Sequence, residues 1–427
     1  MSRKPWSRIR VADLVSSGDA EVKTGPFGTQ LHASDYVERG TPVINVRNIG
    51  FGGIRVDKLE YIADETVQRL AGHVLRPGDI VFGRKGAVER HVLIRQAQNK
   101  WFQGSDCLRL RLKTKRVLPQ FLSYHLLTHD HQQWMMQQCS HGATMASLNQ
   151  DIVGRIEFLA PAPDEQDAIA SILSAYDDLI ENNTRRIAIL EEMARRIYEE
   201  WFVRFRFPSH EGVRMVESEL GLVPEGWRAA SLADVAEYIN RGVTPKYDDA
   251  AACMVINQKC IRDQRLNLGE ARRQSKPVSA DKLVRLGDVL VNSTGVGTLG
   301  RVAQVLEDIR NCTVDTHVSI VRPRKDCDPD FFGLTLLAKQ PHFEAQGVGS
   351  TGQTELGRSR IAEATLVVPP LAMQRAFSGL VRPMRRLAVT LQNKNQNLRI
   401  TRDLLLPKLI SGELDVSAMP EPESLAA

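Results

Sequence analysis

The chain has 427 residues, enough for two to four domains of ~100 to 200 residues, each able to bury its own core. With 42% hydrophobic and 25% charged residues and a net charge of +5, it is neither a disordered nor a fibrous composition. Apolar stretches are strand-length and broken by charge, and the six cysteines form no C-x-x-C pair and have no secretory signal ahead of them. No membrane span and no zinc framework are therefore expected, and the thiols are expected to be reduced, in the cytoplasm.

In chain order, residues 1–163 come first. Pro5-Trp6 leads to Ala12-Asp13, then Val43-Ile44-Asn45, Pro77-Gly78-Asp79-Ile80-Val81, Gly142-Ala143-Thr144 with Leu148, and Pro161-Ala162-Pro163 with Gln166. Short β-rich runs at 80–82 and 107–112, bounded by turn residues, and a short helix over 119–127 give this segment a mixed character.

A helix is expected over 164–207. Gln166, Ile169, Leu173, Tyr176, Ile180, Asn183, Ile187, Leu190, Ala194, Ile197 and Trp201 keep a three-four spacing for about five heptads, the pattern of a coiled-coil seam. Asp164 and Glu165 supply acids to its first turn, and Pro208 and Gly212 break it. At ~1.5 Å per residue such a helix spans roughly 54 Å.

Residues 208–370 then repeat the order of the first segment. Gly226-Trp227, Ala233-Asp234, Val255-Ile256-Asn257, Leu286-Gly287-Asp288-Val289-Leu290, Gly349-Ser350-Thr351 with Leu356, and Pro369-Pro370 with Gln374 follow one another. Strands are expected at 289–291 and 317–321 and a helix over 330–338. A second long helix, 371–416, shows a seam at Leu380, Met384, Leu387, Leu391, Lys394, Leu398, Thr401 and Leu405 and is expected to stop near Pro407. The tail 417–427, rich in Pro and Glu, is expected to be flexible.

A repeat this long predicts two similar α+β globular domains, not a solenoid, separated by two long coiled-coil helices. Residues 164–204 hold 5 basic against 10 acidic residues, whereas 371–416 hold 8 against 3, so the two helices carry opposite net charge. Ile180, Ile187, Leu190, Ile197, Leu387, Leu391, Leu398 and Leu405 are the candidate helix-pairing residues.

Catalytic patterns are few. Gly295-x-Gly297-x-x-Gly300 fits the dinucleotide fingerprint after the 289–291 strand, but another β-like run at 301–305 follows it, so a hairpin turn is the better reading. There is no Walker lysine loop, no His-Glu-x-x-His and no nucleophile elbow. His125, His129, His131 and His141 lack the ligand partners of a metal site, and Trp134, Met135 and Met136 are expected in the core.

Polar loops recur at matching places instead. Asn45, Arg47 and Asn48 match Asn257, Gln258 and Lys259; Arg84 and Lys85 match Asn292, Ser293 and Thr294; Thr144, Ser147 and Asn149 match Ser350, Thr351 and Gln353. Arg and Lys suit guanine edges, Asn and Gln suit adenine, and Ser and Thr either, so equivalent loops with different lettering are what two readers of different bases need. A polar loop residue taken singly is more often merely solvated.

Two further stretches, Ile197-Tyr198-Glu199-Glu200-Trp201-Phe202-Val203 with Phe207-Pro208, and Leu406-Pro407-Lys408-Leu409-Ile410-Ser411-Gly412-Glu413-Leu414, complete a pattern. In this order the whole chain resembles the specificity subunit of type I restriction-modification systems. Ala372-Met373-Gln374 departs from the acidic helix start that Asp164-Glu165-Gln166 provides. The resemblance implies two target-recognition domains that each read half of a split, asymmetric duplex DNA target, and two long antiparallel coiled-coil helices as the spacer that docks two methyltransferase subunits. Restriction subunits would join them. It also implies a non-catalytic chain with no cofactor of its own, S-adenosylmethionine, ATP and Mg residing on the partner subunits. A nucleotide-dependent enzyme, a protein-only coiled-coil scaffold and an orphan recognition subunit paired with a methylase alone are the competing classes.

Overall fold

The alternation of Cys107-Leu108-Arg109-Leu110-Arg111-Leu112 puts leucines on one face and basic residues on the other, and it becomes the strand Cys107–Leu112. In the computed structural model, which describes residues 6–28, 30–139, 146–346 and 355–416, this strand lies between Ala20–Thr24 and Ile80–Gly83, antiparallel to both. His91–Leu93 and Phe51–Gly52 complete the five-stranded sheet. The later part of the chain repeats the arrangement: Val318–Pro323 lies between Ala236–Arg241 and Val289–Asn292, and Val302–Gln304 follows at the edge.

A smaller sheet accompanies each. Thr41–Ile44 pairs antiparallel with Glu60–Ile62 and parallel with Phe102–Gln103; Cys253–Ile256 pairs antiparallel with Arg272–Gln274 and parallel with Cys312–Val314. The chain divides into two compact units, 1–181 with 396–427, and 182–395. Each holds one copy of this α+β arrangement and a stretch of both long helices.

The Gly-Asp turns anchor both copies in the same way. Gly78 and Gly287 have φ of +91° and +92°, a conformation cheap only for glycine, and each turn delivers an aspartate into the sheet. Asp79 accepts two hydrogen bonds from Arg111, at 2.6 and 2.7 Å, and Asp288 accepts two from Arg322, both at 2.8 Å. Both aspartates are buried, and their second oxygens also cap the backbone of Arg76 and Arg285. A buried carboxylate is tolerated only when paired in this manner.

The long helices start on a second repeated lock. Buried Gln166 donates to the carbonyls of Arg116 and Pro161 and accepts from the Leu118 N–H; buried Gln374 donates to the Pro369 carbonyl and accepts from the Asp328 N–H. Each glutamine thus ties its helix to the loop preceding a Pro-initiated short helix, Pro119–Leu126 or Pro329–Ala338.

The first long helix is Pro163–Tyr198, extended by the π-helical turn Glu199–Val203. Its seam buries Gln166, Ile169, Leu173, Asn183, Ile187, Ala194 and Trp201, with Ile180, Leu190 and Ile197 half-buried. The second, Leu371–Ser411, does not stop at Pro407 and contains Pro383 as well. Its inward stripe is Phe377, Val381, Met384, Ala388, Leu391, Asn395, Leu398, Arg402, Leu405 and Leu409, which agrees with the expected seam at every other position only. Leu380 and Leu387 face outward at 48% and 39% exposure, and Val381 and Ala388 occupy the inward places.

Within each unit the helices run antiparallel. In the second unit Ile187 and Leu190 pack with Ala388 and Leu391, and Asn183 donates to Asn395 across a buried 2.9 Å contact. In the first unit Arg402 donates to Asp177 at 2.6 Å, and Leu173 shares a core with Leu406 and Leu409. Leu405 packs against that core, and Ile197 packs against the core of the second unit.

All six cysteines are free, and no helix among the described residues is long and apolar enough to cross a membrane. Met135 is buried and Trp134 packs partly into the core, but Met136 turns outward at 52% exposure, contrary to the sequence expectation. His141 and Thr144 lie outside the described residues, as do Ser350, Thr351, Gln353 and the 417–427 tail.

Four histidines sit inside the first unit, among them His73 beside the Phe102 ring. His91 Nε2 lies 2.8 Å from the Ser123 hydroxyl, and the His125 and His131 rings are 5.3 Å apart. Burial pushes His91 and His131 down to about 3 and His73 and His125 to about 4. An unfolded chain takes up these protons near pH ~6.5 and the folded one does not, so stability is complete above ~6.5 and falls as pH drops towards 4. Four such groups give a slope of about 5 kcal/mol per pH unit. Hydrogen-exchange protection of Cys107–Leu112 should therefore collapse between pH 6.5 and 4.5, and a flat profile would show that the histidines protonate without unfolding.

Candidate nucleic-acid interface

Strand ends that face solvent must satisfy their backbone groups locally, and three loops do so together in each unit. In the first, Arg84 and Lys85 follow the strand Ile80–Gly83, and a segment more than 60 residues later joins them: Lys85 bridges Ser147, and the Leu148 N–H donates to the Arg84 carbonyl at 2.8 Å. In the second, Thr294 bridges Glu355, and the Leu356 N–H donates to the Ser293 carbonyl at 2.8 Å. The repeat therefore aligns Arg84 with Ser293 and Lys85 with Thr294.

The remaining loop follows the middle strand of each small sheet. Asn45 and Asn48 cap each other across a 3₁₀ turn, and Asn257 caps the next one through a 2.8 Å bond from the Lys259 N–H. In the second unit this loop touches its neighbour directly: Asn292 Nδ2 donates to the carbonyls of Gln258 and Thr298, both at 3.1 Å, and the Thr298 hydroxyl donates to Gln258 Oε1 at 3.1 Å.

The expected site residues now separate by what they hold. Asn48 is buried and donates to the carbonyls of Arg55 and Asp57; Asn149 caps the helix Gln150–Gly154; Asn257 is held at both ends by Glu270 and Lys259. Asn292 and Ser293 are buried, the serine hydroxyl lying 2.6 Å from that of Ser319. These five side chains build the loops. Arg47, Lys85, Ser147 and Lys259 are exposed, and Arg84, Gln258 and Thr294 are half-buried.

Several exposed cations are balanced at rest. Arg47 pairs with Glu60 at 2.5 Å, a hydrogen bond that raises its pKa further, and Lys85 lies 3.2 Å from Asp106. Arg84 has no side-chain partner among the described residues. Exposed pairs of this kind contribute only ~0.2 to 1 kcal/mol, so a polyanion can displace the acid.

Sequence reasoning missed Arg241, which reaches Glu355 at 2.7 Å, and His317, whose Nδ1 lies 2.7 Å from the Thr294 hydroxyl. It also missed the Arg272 guanidinium, which lies 3.5 Å over the Tyr247 ring. The signal for the last was the Arg272-Arg273 doublet, which falls outside the repeated motifs. Gly295, Gly297 and Gly300 do shape a hairpin, because Val289–Asn292 and Val302–Gln304 pair antiparallel around them. No group of three or more His, Cys, Asp or Glu is placed to hold a metal ion among the described residues.

Twin sheets with three loops gathered at their ends define a duplicated recognition module. The type I restriction modification DNA specificity domain matches residues 56–192 and 224–399, and the chain belongs to that family. It is 26% identical over 312 residues to the type I restriction enzyme MjaIX specificity subunit of Methanocaldococcus jannaschii, covering 71% of each chain. It is 22% identical to the type I restriction enzyme HindI specificity subunit of Haemophilus influenzae, over 87% of this chain and 94% of that one. The type I restriction-modification S subunit from M. genitalium has the same fold, with a TM-score of 0.64 at 15% identity over 96% of this chain and 97% of that one.

The division of roles is testable. Asn48→Ala strands two carbonyls in a buried loop and should cost ~1 to 3 kcal/mol in urea unfolding. Arg84→Ala should leave stability within ~0.5 kcal/mol and weaken duplex DNA binding. The reverse pattern would exchange the two assignments.

Proposed function

We propose that this chain is the DNA-reading subunit of a type I restriction-modification assembly. Residues 1–163 and 208–370 act as target-recognition domains for the two halves of a split, asymmetric site. Helical segments 164–207 and 371–416 act as the spacer that docks two methyltransferase subunits, with restriction subunits joining them. The observation that carries this reading is one three-loop arrangement built twice on one framework with different side chains: Arg84 and Lys85 in one copy stand where Ser293 and Thr294 stand in the other. A protein-only scaffold has no need of that pattern. Family membership and the relatives named as specificity subunits support it.

In this reading Arg47, Arg84, Lys85, Ser147, Gln258, Lys259 and Thr294 are the candidate base-reading or phosphate-binding groups, while Asn45, Asn48, Asn149, Asn257, Asn292 and Ser293 hold the loops. Thr144, Ser350, Thr351 and Gln353 remain candidates from their place in the repeat. The chain contributes recognition, and the methyl donor, ATP and Mg belong to its partners.

Genome-wide adenine methylation, mapped with and without this chain, should show a bipartite motif that disappears with it. No chain-dependent motif would overturn the reading. Because both helices are continuous, inserting one heptad between Ile180 and Ile197 with a matched heptad in the second helix should lengthen the unread gap and leave both half-sites unchanged; an unchanged gap would remove the spacer role.

The outward leucines of the second helix are the proposed docking face. Leu380→Glu with Leu387→Glu should abolish co-purification with the methyltransferase while leaving thermal unfolding of the isolated chain unaltered. Normal co-purification would place docking elsewhere.

A further inference from the structure

The small sheets of the two units differ in charge at one matched edge. In the first unit Glu60 lies opposite Val43 and Tyr61 opposite Pro42, and Tyr36 pairs with Ile62 on the outer side. In the second, Arg272 lies opposite Val255 and Arg273 opposite Met254, and Tyr247 pairs with Gln274 on the outer side. Register therefore aligns Glu60 with Arg272, Tyr61 with Arg273, and Tyr36 with Tyr247.

The aligned positions do opposite things. Glu60 accepts from Asn45 at 2.6 Å and pairs with Arg47, so the first edge neutralises the cation of its own neighbouring loop. Arg272 meets no carboxylate among the described residues; its guanidinium stacks on the exposed Tyr247 ring. Arg273 donates to the Ala251 carbonyl and Lys276 to the Thr244 carbonyl at 3.5 Å, so both spend their hydrogen bonds on backbone and keep their charge uncompensated. Lys246 is exposed beside them. Asp248 and Asp249 are the nearby acids in sequence, and neither forms an ion pair with these four cations among the described residues.

This edge is joined to the candidate reading loops. Asn257 Nδ2 donates to the Glu270 carbonyl at 2.8 Å, two residues before Arg272. At the other end, Val243 bridges Asp315, whose carboxylate caps the His317 N–H beside Thr294. A flat guanidinium on a tyrosine, with Arg273 on the other face of the same edge strand and Lys246 and Lys276 exposed close by in the chain, gives this edge the positive charge that a sugar-phosphate backbone attracts. Stacking holds the guanidinium in place without neutralising it.

We propose that Lys246, Arg272, Arg273 and Lys276 form a phosphate-binding strip of the second unit that the first unit lacks. It sets the position of the second unit on duplex DNA and supplies affinity without reading sequence. The proposal rests on the DNA-reading function above and adds an asymmetry to it: the two heads grip their half-sites with different numbers of phosphate contacts.

The test uses the full chain in complex with its methyltransferase on a duplex carrying the methylated motif, with affinity measured from 50 to 300 mM salt. Each phosphate contact adds ~0.9 to the slope of log affinity against log salt. Arg272→Gln with Arg273→Gln and Lys276→Gln should lower that slope by about 2 to 3 and leave the methylated motif unchanged. Glu60→Gln, the matched change in the first unit, frees Arg47 and should raise the slope by up to about 1. An unchanged slope in the triple variant overturns the strip, and so does loss of methyltransferase co-purification, which would make it a protein-docking surface. Arg272→Lys with Arg273→Lys keeps the charge and should retain most of the slope, separating charge loss from misfolding. Absence of salt-dependent binding by the wild-type complex would instead sink the functional reading itself.

Discussion

A carboxylate buried beneath a glycine turn and clasped from the neighbouring strand by an arginine is the constraint on which each unit depends. Asp79 with Arg111 and Asp288 with Arg322 join the middle of the sheet to the turn that starts the next strand. Removing one member strands a buried charge at ~3 to 5 kcal/mol, so neither half of the pair is free to drift. The strands that leave these turns, Ile80–Gly83 and Val289–Asn292, end in the candidate reading loops. A fixed turn at one end of a four-residue strand fixes the loop at the other.

Above that shared frame the copies diverge, from five strands to four in the main sheet and from four to three in the small one. Framework groups recur almost atom for atom, down to Gln166 and Gln374 holding carbonyls at the helix starts. Loop and edge positions change: half-buried Arg84 stands against buried Ser293, exposed Lys85 against half-buried Thr294, and half-buried Glu60 against exposed Arg272. A duplicated scaffold with separately lettered edges is what lets one chain address two unlike stretches of DNA.

How far the sequence foretold this differs between levels. The repeat, the hairpin at Gly295 and the strand 107–112 were legible because glycine turns and period-two alternation leave direct marks. The first seam was legible because isoleucine and leucine hold its positions. The second was misphased because Leu380 and Leu387 outrank Val381 and Ala388 in hydrophobicity, while inward Asn395 and Arg402 make sense only beside Asn183 and Asp177. The loops could be located but not sorted. Whether Asn48 or Arg84 is spare depends on carbonyls such as those of Arg55 and Asp57, which no local pattern reveals.

Replacing residues 213–370 with a second copy of the first globular segment, and mapping methylated adenines, tests the account most directly. Two interchangeable heads on one frame predict a symmetric motif in which the half-site of the first unit occurs twice, in opposite orientation. Retention of the original asymmetric motif by that variant would contradict the account, because sequence choice would then lie outside the duplicated loops.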